Sequence, residues 1–223
     1  AEPGRLLLTG NALHADIPPD AAGSGLFGWL MSMLAQDVGF PVPVGGAGML
    51  TQAMAARATA AGATIRVGDA VTRIGVRHGR VNDVTTAAGT TLRVRRAVVA
   101  DVAATSLYSE LLPADAVPAR LHNAMEHFEW DPPVVKLNWA LDGPIPWHAS
   151  GIADAGTVHL GADADGVLAW MADLSAGRLP QSPFTLLGQM STADPTRSPA
   201  GTESVWAYTH LPRGMNDDEP AEL

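Results

Sequence analysis

The chain has 223 residues, 47% hydrophobic and 17% charged, with 14 Lys and Arg against 23 Asp and Glu and a formal net charge of -9. Length and composition support a folded globular protein of one large or two modest domains and argue against disorder. An acidic chain repels phosphate backbones, which argues against nucleic acid as a partner; the absence of cysteine excludes disulfides, thiolate nucleophiles and cysteine-based metal sites.

The elements follow in chain order. Residues 5–16 read as a short helix or strand of ambiguous period, ended by Pro18 and Pro19. Over residues 25–38 the placement of Leu26, Leu30, Met33, Leu34 and Val38 suits a helix that is apolar on most sides, a pattern expected of a buried helix. Pro41 and Pro43 then force extended chain. Gly45-Gly46-Ala47-Gly48 opens a helix over 49–61, rich in Ala, Met and Leu, with Gly62 in the position of a C-cap. Strands are predicted over 65–67 and 70–77. His78-Gly79 supplies a tight turn, and the return strand over 81–87 carries a bulge near Asn82-Asp83. After a Gly89 turn comes a strand over 91–94. The apolar run 97–100 then reads as a central strand buried on both faces.

Short helices follow over 106–112 and 119–128. Residues 134–141 alternate cleanly, with Val135, Leu137, Trp139 and Leu141 on one face. Further elements are a strand at 157–160, a helix at 167–175, and strands at 182–191 and 204–210 separated by a Pro-rich loop. Asn216 to Pro220 is polar and reads as a surface loop.

The stretch from Phe40 to Leu50, with its Pro-x-Gly-Gly-x-Gly-x-Leu pattern at Pro43–Leu50, leads through a helix to Gly62, a strand and Val71-Thr72-Arg73-Ile74. A hairpin at Gly79, the run Val98-Val99-Ala100-Asp101, and the later Gln181-Ser182-Pro183-Phe184, Asp194-Pro195 and Ser198-Pro199-Ala200-Gly201 continue the series. In order and spacing this resembles the phytoene desaturase (carotenoid dehydrogenase) family of FAD-dependent oxidoreductases, which includes retinol saturase-like enzymes. The resemblance covers nearly the whole chain. It lacks the family's opening strand–Gly-x-Gly-x-x-Gly–helix unit and its closing Gly-rich flavin segment, so the chain is expected to be a central fragment. The resemblance implies an α+β or α/β fold: part of a two-domain FAD/NAD(P)-binding flavoprotein, with a small antiparallel meander and a mixed-sheet substrate domain. Residues 1–42 and 111–223 would form the substrate domain, and 43–110 a partial FAD-binding domain.

The resemblance further implies FAD as cofactor of the parent enzyme, not retained by this segment alone, and catalysis on carbon–carbon bonds of an apolar, polyene- or lipid-like substrate. It places Gly45 and Gly46 near the flavin–substrate interface and gives Val71 a backbone contact with the adenine; an ordinary strand valine is the plain alternative. Ala100 and Asp101 follow the buried strand, where strand ends face the ligand crevice; Asp101 serves equally as a turn or N-cap residue. Gly46-Ala47-Gly48 with Asp69 superficially resembles a dinucleotide fingerprint. Thr51 stands at the third glycine, however, and Pro41 and Pro43 disrupt the preceding strand, so a closely packed helix start is the better reading.

Six of the twelve aromatic residues are Trp. Trp29 and Met33 share a helical face, Trp139 lies on an alternating strand, and Trp206 and Tyr208 share a strand face with His210. They suit either plain core or an apolar substrate tunnel. The seven His show no metal-ligand spacing, and no side chain stands out as a catalytic acid or base. The alternatives are a non-catalytic lipid or prenyl carrier on the same architecture, as in Rab GDP-dissociation inhibitors, and an amine-oxidase-like flavoenzyme. No apolar stretch reaches the ~20 residues of a spanning helix; the expectation is a cytoplasmic protein, with peripheral membrane contact left open. An unpaired sheet edge predicts homodimers.

Overall fold

The computed structural model describes residues 2–15, 17–37, 39–161 and 163–215. The polar end at 216–220 and two boundary residues of predicted elements, Asp16 and Val38, lie outside the described residues. In chain order the elements are α1 (Glu2–Ala12), α2 (Ser24–Asp37), α3 (Ala47–Ala60), β1 (Val71–Arg77), β2 (Arg80–Thr86), β3 (Thr91–Arg93), α4 (Ala119–Glu126), β4 (Val134–Leu141), β5 (Thr157–Leu160), α5 (Ala164–Ser175), β6 (Thr185–Gln189), α6 (Met190–Ala193) and β7 (Glu203–His210). The architecture is mixed α and β with two small antiparallel sheets. The chain divides into one unit made of Ala1–Met54 and Asp131–Leu223 and a second made of Ala55–Trp130.

The discontinuous unit is built on a four-stranded sheet of order β4-β7-β6-β5. A mixed sheet was the expectation, yet every pairing is antiparallel. Although α5 lies between β5 and β6 in sequence, these strands are antiparallel neighbours, so α5 does not form a parallel βαβ crossover. On α5, Ala164, Val167, Trp170, Met171 and Leu174 are buried, the i, i+3, i+4, i+7 stripe of an amphipathic helix. Asp163 caps its N-terminus by accepting from the Gly166 amide at 2.9 Å. This stripe meets Leu13, Phe184 and Leu186 in the core cluster, with Trp206 and Tyr208 packed against it.

Helices α1 and α2 pack through small residues. A Cβ on Gly28 would run into the Leu8 carbonyl. Ser32 Oγ donates to the Gly28 carbonyl at 2.7 Å, and Asn11 Nδ2 donates to Ser32 Oγ at 3.1 Å. α2 forms as predicted but is not buried on most sides. Its buried residues are Ser24, Gly28 and Ser32, while Leu26, Trp29, Leu30, Met33 and Leu34 are exposed. The physical reason is that only small residues allow two backbones this close, so the Gly/Ser ridge takes the helix contact and the large side chains point outward.

The second unit holds the meander β1-β2-β3. His78 and Gly79, with φ of 52° and 70°, make the expected hairpin turn. The pairing steps from Gly75↔Asp83 to Val76↔Val81, which leaves Asn82 as the extra residue of the predicted bulge. Gly62 (φ 90°) ends α3, and the Ala63 amide reaches back to the Ala58 carbonyl at 3.0 Å, a Schellman closure. The expected short helix at 106–112 is a π-helical turn, Ser106–Leu111.

Two predicted strands do not form. Residues 65–67 and 97–100 run outside any ladder, and Val67 and Val99 are 88% and 95% exposed. The buried central strand expected at 97–100 is therefore corrected: an apolar run becomes a strand only beside a hydrogen-bonding neighbour, and none of the described residues provides one.

Candidate functional site: an apolar cavity with a histidine pair

Within the discontinuous unit, α1, α2 and β5 border an open cavity of about 690 Å³. Leu7, Asn11 and His14 contribute from the first helical segment, Met31 and Ala35 from α2, and Val158 and His159 from β5. The helical spacing of 7, 11 and 14 and of 31 and 35 sets each group on one face. The far wall, Gly151, Ile152 and Ala155, is a loop held chiefly by the buried Gln189 side chain. Gln189 Nε2 donates to the Ala155 and Ile152 carbonyls at 2.7 and 3.1 Å. Its Oε1 accepts from Trp147 Nε1 at 2.8 Å, and its amide donates to the Gly156 carbonyl at 2.9 Å. A volume of this size with few polar groups suits a small apolar ligand.

The polar feature of the cavity is a pair of imidazoles 145 residues apart in sequence. His14 Nε2 and His159 Nε2 are 3.1 Å apart, so one ring donates and the other accepts. The His159 ring meets Phe184 edge-on at 5.3 Å between centroids. Its Nδ1 packs so near Gly10 that a Cβ there would approach to 2.7 Å. Part of His159 remains exposed, but loss of water around the ring, followed by repulsion from His14, lowers its pKa to about 4. His159 is therefore neutral at neutral pH.

The residues singled out in sequence are dispersed. Trp29 and Met33 lie on the exposed side of α2, and Trp139 is exposed on β4. Trp206 and Tyr208 stack at 5.8 Å and 17° on β7, with Lys136 Nζ 5.6 Å from the Trp206 ring. Because Asn138 pairs with Trp206 and Trp139 with Val205, Trp139 projects from the opposite face of the sheet to Trp206 and Tyr208. None of the five lines the cavity. His14 and His159 went unnoticed in sequence because only the fold joins them; the sole local signal was His159 on the alternating strand 157–160.

Gly45 and Gly46 precede α3 and are fastened to the loop after α6. The buried Asp194 carboxylate accepts from the Gly45 amide at 2.6 Å, and from the Thr196 hydroxyl and amide at 2.7 and 3.0 Å. The Thr196 hydroxyl and then the Gly45 amide hold its pKa below the usual carboxylate value. Gly46 (φ 99°) has Arg197 where a Cβ would stand, at 2.6 Å. The amide that could cradle a phosphate is thus already engaged by a carboxylate. In the second unit, Val71 shares a recess of about 850 Å³ with Val98, Val99, Arg93, Arg95 and Arg96. Its cations suit an anionic, partly apolar group. Ala100 and Asp101 are exposed beside it in sequence.

No family model matches the chain. Over 216 residues, 91% of the chain, it is 28% identical to pyridine nucleotide-disulfide oxidoreductase domain-containing protein 2 of Rattus norvegicus. The Mus musculus protein of the same description matches at the same 28% over 91% of the chain. The likeness is to an oxidoreductase-type protein. The chain spans 37% of the length of each relative. Since it contains no cysteine, no thiol–disulfide step uses a residue of this chain. No described helix is long and apolar enough to cross a membrane, and no described cluster of three or more His, Asp or Glu could hold a metal.

Proposed function

We propose that the chain is part of a flavin-dependent oxidoreductase, resembling the phytoene desaturase family, that acts on carbon–carbon bonds of an apolar substrate. The observation that carries the apolar-substrate reading is the cavity of about 690 Å³ lined by Leu6, Leu7, Met31, Ile152 and Val158. The redox reading is supported by the distant likeness to an oxidoreductase-domain protein. The open segments at 65–67 and 97–100, with Val67 and Val99 bare, would pair as strands beside a neighbouring sheet such as a dinucleotide-binding domain would supply. FAD would supply hydride acceptance or donation, and Val71 with Arg93, Arg95 and Arg96 would hold its adenylate end. The chain's own contribution is to bind and orient the substrate and keep water from it.

A non-catalytic lipid carrier is the second reading, favoured by the apolar lining of the same cavity. Visible absorbance of the purified full-length polypeptide separates the two. A flavin spectrum is expected. No flavin even after FAD addition, with lipid bound in stoichiometric amount, replaces the enzyme by the carrier.

A further inference from the structure

We infer that the free edge of β4 is a self-association face: β4 pairs antiparallel with β4 of a second copy about a two-fold axis at Leu137, joining two four-stranded sheets into one. Among the described residues β4 ends its sheet, with β7 as its neighbour. The Leu211 amide donates to the Pro133 carbonyl at 2.8 Å, in line with the register that pairs Val134 with His210. Hydrogen-bonded pairs alternate along an antiparallel ladder. Val135, Leu137, Trp139 and Leu141 therefore bond to β7, while the backbone N–H and C=O groups of Val134, Lys136, Asn138 and Ala140 point to the free edge. The other side of the sheet agrees: the Gln189 amide donates toward β5, to the Gly156 carbonyl at 2.9 Å, which leaves Leu186 and Gly188 to bond Tyr208 and Trp206 of β7. Every residue from Val134 to Ala140 is exposed.

Edge strands that stay single are guarded by a bulge, a proline or an outward charge. β4 has no such guard. Its pairing with β7 runs without a register break from Val134 to Leu141, and no proline interrupts it. Its single charged residue, Lys136, lies with Nζ 5.6 Å from the Trp206 ring of β7, drawn inward over the sheet. The strand is also complementary to itself. A two-fold axis perpendicular to the sheet keeps like faces together, so with Leu137 on the axis the outward-bonding residues meet: Lys136 of one copy faces Asn138 of the other, and Val134 faces Ala140. Between them Leu137 faces Leu137 and Val135 faces Trp139, apolar against apolar on one face. Moving the axis to Lys136 sets that ammonium against its own copy, and moving it to Asn138 sets Val134 against Asp142. One strand edge is a small interface, so the dimer is concentration-dependent. None of this depends on the redox or the carrier reading.

The chain has no cysteine, so single cysteines report the register. Residues of a non-hydrogen-bonded antiparallel pair have Cα atoms about 4.5 Å apart, inside the range of about 4.4–6.8 Å that a disulfide spans. Under mild oxidation of the full chain, Leu137→Cys should cross-link to itself. Val135→Cys and Trp139→Cys should each stay uncross-linked alone and cross-link when mixed. Sedimentation should show dimers at high concentration. Asn138→Pro removes an outward amide and leaves the β7 ladder intact; it should weaken the dimer by about tenfold or more with the far-ultraviolet circular dichroism unchanged. A monomer at high concentration overturns the inference, as does a dimer in which Leu137→Cys fails to cross-link or Val135→Cys cross-links to itself. In the full-length polypeptide Asn138→Pro should likewise lower the sedimenting mass from dimer to monomer. A mass that does not respond means that another segment of that polypeptide, rather than a second copy, occupies β4, and overturns the inference too.

Discussion

The Asp194 carboxylate accepts the Gly45 amide at 2.6 Å across 149 residues of sequence. This bond fixes the start of α3 to the turn after α6 and gives the glycines at 45 and 46 a packing role. Asp194→Ala should loosen the 43–48 loop and lower the thermal midpoint, whereas Asp194→Asn, which keeps an acceptor, should cost less. The bonds to Thr196 and Gly45 lower the folded pKa. Their contribution is therefore complete above the ordinary carboxylate pKa and is lost as pH falls through the lower folded value. Urea midpoints of the parent and Asp194→Asn, compared from pH 7 to pH 2, should converge at the acid end.

His159 shifts in the same direction, although here folding favours the neutral form. Folding lowers its pKa from 6.5 to about 4, so the unfolded chain binds the proton more readily. Stability should fall as pH drops from about 6.5 toward 4 and lose this dependence below that. His159→Phe should flatten that segment of the urea-midpoint profile, and the imidazole resonance of the parent should titrate near 4.

Gly188 lies beneath the Trp206 indole, and a Cβ there would overlap the ring. Gly188→Ala should displace Trp206 from its stack with Tyr208 and destabilise the sheet by about 1–3 kcal/mol. Thermal unfolding measures the loss, and near-ultraviolet circular dichroism should show the stack disturbed.

Gln189 holds one wall of the cavity through Ile152 and Ala155. Gln189→Leu removes these bonds and the one from Trp147 Nε1; the Ile152 carbonyl keeps the Ala155 amide, so the loss falls on the part-buried Ala155 carbonyl and Trp147 indole, at about 1–3 kcal/mol. Thermal unfolding of Gln189→Leu against the unsubstituted protein measures the loss.

The edge strand β4 carries exposed Val135, Leu137 and Trp139, an arrangement that invites pairing with a second copy. Dimers are expected by light scattering at high concentration. Leu137→Lys combined with Trp139→Lys should return the protein to monomer.

Much of the local structure was legible because local chemistry decides it. The strand from Val134 to Leu141, the His78-Gly79 turn and the bulge at Asn82 all appear where the residue pattern puts them. What failed depends on neighbours. Composition marks 97–100 as strand-forming but cannot state whether a partner strand is present, and Val99 stands bare. The apolar girth of α2 hid the fact that its contact ridge is Gly28 and Ser32. The imidazole pair was beyond local reading altogether, because only the sheet register and the α1 contact bring residues 14 and 159 together.

The unit that holds the cavity is assembled from two stretches separated by Ala55–Trp130, and this sets an order of events during synthesis. Gly10 leaves the ribosome long before His159, which packs against it. At roughly 5–20 residues per second, the intervening chain takes on the order of 10–30 s to make. An α1–α2 pair formed in that interval would rest on its own Gly28 and Ser32 contacts, with its leucines and Trp29 open to any chaperone that recognises apolar helices.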